Sequence, residues 1–257
     1  MSSFILQQQE EVIALAQFDI KDAVLKKCIL KEGETVIAVP DGVTVIGKDA
    51  LCGLQSVIAV TLPESLKVIN DGAFYGCSSL TSVTLPGSVE RLGSCAFAQC
   101  SALNTICLDN KLTEIGNSAF WGCTSLESID IPTGVTKIGY NLFGSCLSLI
   151  SVSLPDTVTE LDERAFKECT SLAYITLPDS LLKIGNMAFL NCHSLRSVNI
   201  PDRLESIGEK AFFMCESLNE LEIPDGIISF GGDAFSDCVS VTVRSTISGK
   251  PLYKAVT

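Results

Sequence analysis

Eight cysteines recur at intervals of 23 residues, Cys77, Cys100, Cys123, Cys146, Cys169, Cys192, Cys215 and Cys238, and they are the feature of this sequence with the most obvious chemical potential. Thiols can hold a soft metal, pair as disulfides or act as nucleophiles. Zinc requires about four ligands converging on one point, usually through C-x-x-C loops, whereas equal spacing delivers parallel thiols one turn of chain apart. Disulfides need Cβ vectors aimed at each other, which a parallel column does not favour. The expectation is a column of buried free thiols acting as small hydrophobes. Cys107 stands apart, because strand alternation with Thr105 puts it on an exposed face, where an unreactive thiol outweighs a reactive one.

His193 is the single histidine and follows Cys192 in a turn, so no second histidine can join it in a metal site. No G-x-S-x-G, Walker loop, H-E-x-x-H or EF-hand string occurs. The reading is of a protein that is not an enzyme, with no catalytic residue, no metal site and no cofactor.

Binding residues are the remaining candidates, and the repeat is what positions them. Pro63 to Leu85 is the unit, and prolines at 40, 63, 86, 132, 155, 178, 201 and 224 mark its copies, with Asp109 where one proline is missing. A fixed period with apolar residues spaced as L-x-x-L-x-L is the signature of a leucine-rich repeat solenoid. In each unit Leu80, Val83 and Leu85 alternate with Ser82 and Thr84, so a short strand points the first set inward and the second outward. The proline then ends the strand. A column of Gly47, Asn70, Gly93, Gly116, Gly139, Asp162, Gly185, Gly208 and Gly231 follows, read as a left-handed turn position. The Ala-Phe pair after it, Ala73-Phe74 and its copies, is expected on a helical turn with the phenylalanines forming an aromatic spine. Leu142 replaces the alanine once, which predicts a local shift or an outward rotamer.

The expected architecture is thus an α/β solenoid of nine 23-residue coils, with one parallel β-sheet on the concave side and short helical turns on the convex side. Residues 1–39 form an N-terminal cap made of a short helix over Ser3 to about Leu15 and a small β cap. Residues 40–238 form the repeat array, and residues 239–257 a C-terminal cap whose Val239, Val241 and Val243 pair with the last repeat.

On the concave strands Tyr174 is the sole aromatic in a field of small polar residues that includes Asp130, Ser151, Thr176, Ser197 and Asn199, and it is a natural anchor for a partner. Glu220 and Glu222 lie on a concave strand in the same C-terminal half. Asp156, Asp179, Asp202 and Asp225 follow the prolines; the plain account is a Pro-Asp turn with a capping carboxylate, and the functional one an acidic strip for a basic partner. On the convex side Tyr75, Trp121, Leu190 and Phe213 share one column and form a candidate second patch.

The formal charge of −12, with Lys and Arg scattered singly, argues against nucleic acid. No run of about 18 apolar residues exists to insert in a membrane. The N-terminus lacks a basic n-region, so the chain as it stands reads as cytoplasmic and monomeric, with a secreted or cell-surface location the alternative if a signal peptide has been removed.

The phrase I-G-x-x-A-F-x-x-C-x-S-L-x-x-V-x-L-P-x-S-V, found with minor changes at Leu92 to Leu108, Ile115 to Val135 and Ile184 to Leu204, resembles the BspA-like class of leucine-rich repeat proteins over about Phe18 to Val241. The segment FDIKDAVLKKC resembles the β cap that precedes such arrays, with Ala23 and Cys28 where Gly and Tyr are usual. What the resemblance implies is a right-handed solenoid without catalytic activity, in adhesion or protein binding, often at a bacterial surface. The two functional readings are a protein- or glycan-binding scaffold module that uses its concave face, and a repeat domain of a bacterial cell-surface adhesin that binds host or matrix protein.

Overall fold

The computed structural model describes residues 16–221, 223–224, 226–238 and 242–243; the expected helix over Ser3–Leu15 lies outside them. The described chain begins with an antiparallel hairpin of β1 (Gln17–Lys21) and β2 (Val24–Ile29). Its two-residue turn, Asp22-Ala23, has φ of 53° and 60°, the pair of left-handed residues that a tight hairpin loop demands. Strand β2 then pairs in parallel with β4 (Val45–Ile46), so the hairpin covers the open first coil.

Each coil contributes two strands. The first set comprises β3 (Val36–Ala38), β5 (Ala59–Thr61), β7 (Ser82–Thr84), β9 (Thr105–Cys107), β11 (Ser128–Asp130), β13 (Ser151–Ser153), β15 (Tyr174–Ile175), β17 (Ser197–Val198), β19 (Glu220–Leu221) and β21 (Thr242–Val243). Between them lie two-residue strands: β4, β6 (Val68–Ile69), β8 (Arg91–Leu92), β10 (Glu114–Ile115), β12 (Lys137–Ile138), β14 (Glu160–Leu161), β16 (Lys183–Ile184), β18 (Ser206–Ile207) and β20 (Ser229–Phe230). Pairings between coils are parallel and step by 23 residues, as in Ile129 opposite Val152, except that β19 and β21 step by 22, Glu220 opposite Thr242. The single sheet expected from sequence is therefore corrected to two ladders on two sides of a β-solenoid. The apolar pair after the proline, such as Val89 and Leu92, puts only one buried residue in the second strand, a signal too short to read as a strand. In the first ladder the alternation is as expected, with Val83, Ile106, Ile129 and Val152 inward. Strand β21 pairs with β19, and the other residues of the expected C-terminal cap lie outside the described ones.

The third side is made of turns, and no α-helix occurs among the described residues, which corrects the expected helical turns. The hydrogen bonds explain it. In the third coil the N–H groups of Cys95, Phe97 and Gln99 donate forward to the Asn117, Ala119 and Trp121 carbonyls of the next coil, respectively, while those of Ala96, Ala98 and Cys100 close i−3 turns. Half of the donors are thus withdrawn from any i−4 ladder. On the strand sides donors run both ways, backward as Lys67 N–H to Thr44, Asn70 N–H to Ile46 and Thr81 N–H to Ile58, and forward as Val39 N–H to Thr61 and Ile131 N–H to Ser153.

Left-handed residues bracket each turn, but they are not the glycine column. Positive φ occurs at Cys95, Ser118, Asn141, Arg164, Met187 and Lys210, two residues after it, and again at Gln99, Ser145, Glu168 and Asn191. The glycines serve close approach instead: a Cβ on Gly208 would stand 2.5 Å from the Asn186 nitrogen and 2.5 Å from the Gly185 carbonyl carbon of the preceding coil.

The core runs unbroken along the axis. Seven stacked pairs join Phe74 to Phe235, with centroids 4.8 to 5.9 Å apart, and Leu51 heads the column. Leu142 is fully buried rather than turned outward, so the outward rotamer is not adopted; the Phe143–Phe166 rings beside it show the largest tilt of the stack, 13°.

Candidate functional site

The cysteine column sits just behind the phenylalanines. Each thiol is buried; Cys77 donates to the Leu51 carbonyl and the others to the carbonyl of the phenylalanine one coil earlier, as Cys100 to Phe74 and Cys123 to Phe97 at 3.1 Å and Cys146 to Phe120 at 3.2 Å. A thiol is thus the small apolar side chain that also occupies a buried carbonyl, a role the sequence reading missed. Burial pushes Cys123 and Cys192 up to about 12, so the thiolate is suppressed. All twelve cysteines are free, Cys107 is exposed as alternation requires, and no group of metal-binding side chains assembles among the described residues. His193 faces Glu216 at 3.6 Å in its turn.

The outward face of the first ladder carries the other candidates. Asp130, Ser151, Tyr174, Thr176 and Ser197 are exposed there in successive coils. Asn199 is different in kind. Its Oδ1 accepts the Leu177 N–H and its Nδ2 donates to the Leu177 carbonyl, both at 2.8 Å, so its side chain extends the short β15–β17 pairing and is not free for a partner. Glu220 lies in β19, and Glu222 lies outside the described residues. Asp156, Asp179 and Asp202 are exposed at the proline turns, which are closed by backbone bonds such as Val158 N–H to Pro155; among the described residues no side-chain bond engages these three carboxylates. Asp225 lies outside the described residues. On the turn side Trp121, Leu190 and Phe213 are half-buried, and Gly144 and Lys167 separate Trp121 from the other two.

The second ladder holds a feature that sequence reading passed over. From Arg91 to Lys183 its outward residues alternate in sign, and Arg91–Glu114 at 3.0 Å, Lys137–Glu160 at 3.1 Å and Lys183–Glu160 at 2.7 Å bridge successive coils. The Lys183 hydrogen bond holds Glu160 below the usual carboxylate range. The signal was legible as opposite charges 23 residues apart. Where Ser206 and Ser229 replace these long side chains, a cleft of about 480 Å³ opens over Gly185 and Gly208, facing Asn186 and Glu209. Leu147 and Ile150, beside Tyr174, are exposed and were also missed.

Comparison with known proteins agrees with this geometry. Residues 19–150 and 136–250 match the BspA type leucine rich repeat region, in six copies. Similar solved structures include a leucine rich cell surface protein of Faecalibacterium prausnitzii, 29% identical over 89% of this chain and 74% of that one with a TM-score of 0.70. Leucine-rich repeat proteins of Bacteroides ovatus (23% identity, 90% and 81% coverage, TM-score 0.55) and Eubacterium ventriosum (20%, 86% and 79%, 0.57) share the fold. No curated protein matches the chain. The repeat match over most of the chain and the stacked 23-residue coils together establish that this protein belongs to the BspA-type leucine-rich repeat family.

Proposed function

We propose that the chain is a non-enzymatic protein-binding module that docks its partner on the outward face of the first strand ladder. The observation that carries this reading is the exposed Tyr174 in a row of short side chains, Ser128, Ser151 and Ser197, on a strand paired with β17 of the following coil. Unpaired Asp156, Asp179 and Asp202 along the same edge favour a partner with basic groups. A photo-crosslinking phenylalanine analogue at Ser197 should give defined adducts in extracts of the native environment, and the same group at Phe213 should not. The reverse pattern would reject the face.

A second reading is a repeat domain of a bacterial cell-surface adhesin that binds host or matrix protein. The description of the F. prausnitzii neighbour as a cell surface protein favours it. The cytoplasmic location expected from the N-terminus gains no support from that neighbour. No helix among the described residues is long and apolar enough to cross a membrane. Antibody labelling of intact producing cells tests the reading: labelling only after lysis would remove it.

A further inference from the structure

Three exposed apolar side chains fall on two successive coils at the first ladder, Leu147 and Ile150 in the approach to β13 and Tyr174 in β15, and they are 43%, 55% and 56% exposed. They interrupt columns that are otherwise largely polar. The Leu147 column carries Ser78, Ser101, Thr124 and Thr170; the Ile150 column carries Thr81, Asn104, Glu127 and Arg196, with Ile58 as its other large aliphatic; the Tyr174 column carries Ser82, Thr105, Ser128, Ser151 and Ser197. The Leu147 carbonyl accepts the Ser171 N–H and the Thr170 hydroxyl, both at 3.2 Å, which draws the approach to β15 against Leu147.

A backbone irregularity coincides with this cluster. From Ile58 to Ile150 the residue before each strand donates its N–H to its equivalent one coil earlier, as Thr81 to Ile58 and Ile150 to Glu127, and Arg196 to Ala173 resumes the series. The link from Ala173 to Ile150 is absent, and β13 and β15 are not hydrogen-bonded neighbours. Exposed carboxylates outnumber cations in these columns, where Arg196 follows one coil after Tyr174. Glu127 and Asp130 lie one coil before, and Asp156 and Asp179 lie at the strand ends of the same two coils, all exposed and without an ion pair among the described residues.

We infer that Leu147, Ile150 and Tyr174 form the centre of a docking surface for a protein segment that presents an apolar side chain flanked by lysine or arginine. The inference rests on the binding face proposed above and names its centre and its partner chemistry. An apolar centre with acidic surroundings selects an apolar anchor with basic neighbours by charge complementarity. A membrane surface is the wrong occupant, because its anionic headgroups would face these carboxylates. Aliphatic Leu147 and Ile150 offer no hydrogen bond to a sugar hydroxyl.

The test is selection of a displayed random dodecapeptide library on the immobilised full chain, followed by anisotropy titration of the enriched peptides as synthetic probes. The expected result is enrichment of peptides with an apolar residue flanked by Lys or Arg. Their affinity should fall about tenfold or more on Ile150→Ser and on Tyr174→Ser, the loss typical of an anchoring contact, with melting temperatures unchanged. Peptides of that composition should also weaken as salt is raised. Enrichment of acidic or uncharged peptides, or no enrichment above an Ile150→Ser/Tyr174→Ser double variant, overturns the inference. Peptides blocked by Ser82→Trp but indifferent to Ile150→Ser overturn it while leaving the binding face intact. Peptides blocked only by Phe213→Ala on the turn side overturn both.

Discussion

Alkaline pH should unfold this protein far more steeply than an acidic chain without buried thiols. Burial pushes Cys28 and Cys238 up to about 11 and Cys123 and Cys192 up to about 12, and it holds Cys146, Cys169 and Cys215 well above the free thiol. Cys100 and Cys77 influence each other and shift in opposite directions, up and down, so this pair is left out of the sum. An unfolded cysteine titrates near 8.5. The folded state keeps the proton and the unfolded state releases it, so stability is whole below about pH 8.5 and is lost as pH rises toward the folded values. At pH 9.5 each thiol in the unfolded chain gains RT ln(1 + 10), about 1.4 kcal/mol, and seven of them roughly 10 kcal/mol. The sum does not depend on how far above about 10.5 each folded value lies. It is comparable to the whole stability of an ordinary domain. Urea unfolding followed by circular dichroism, in a phosphine reductant at pH 7.5 and 9.5, reads the effect as a collapse of the midpoint. Cys146→Ala/Cys169→Ala should lose about 1.4 kcal/mol less per thiol removed over the same interval, which assigns the effect to the ladder. A midpoint that stays constant between the two pH values would refute the reasoning.

Three further changes probe the frame. Ala23→Gly should stabilise by about 0.5–1 kcal/mol, because Ala23 holds a φ of 60° that glycine adopts without strain, and a lower melting temperature would contradict the turn. Gly208→Ala should destabilise by about 3 kcal/mol by driving a methyl into the preceding coil, whereas Gly232→Ala, with nothing within 4 Å of its added Cβ, should be neutral; equal melting temperatures for the two would remove the close-approach account. Val152→Asp, at a buried strand position, should cost about 4 kcal/mol in urea titration and Ser153→Asp, beside it and exposed, under about 0.5 kcal/mol, and comparable losses would refute the strand phase.

Much of the frame was legible because the 23-residue period repeats each physical constraint many times. Val83, Ile106 and Ile129 alternate with polar neighbours in the same phase in every coil, so strand direction and face could be read without a structure. Failures came where one residue type answers two different demands. Glycine suits a left-handed turn and also a close backbone approach, and the composition of the Gly93 and Gly208 column fits both; only the measured φ and the 2.5 Å approach to Asn186 separate them. Non-glycine residues such as Arg164 and Met187 take the left-handed positions because forward hydrogen bonds on the turn side fix them there, and nothing in those side chains announces it. Ala-Phe pairs suggested a helix for the same reason: a buried aromatic every coil is compatible with either conformation. Among the candidate site residues, Tyr174 stood out as a type against its column. Leu147 and Ile150 did not, since they fall outside the strands and their exposure depends on where the turn leaves them.

The opposed directions of the hydrogen bonds between coils bear on how long such a stack can grow. On the turn side Gly72, Phe74 and Gly76 aim their N–H groups at the following coil, while on the strand sides Lys67, Asn70 and Thr81 aim theirs at the preceding one. The peptide dipoles on different sides of the coil therefore largely cancel along the solenoid axis, as they do across a sheet. An α-helix aligns every peptide dipole and builds about half an elementary charge at each end. A stack of these coils accumulates no comparable terminal charge, so each added repeat brings its spine contact and its thiol bond without a growing electrostatic demand on the caps.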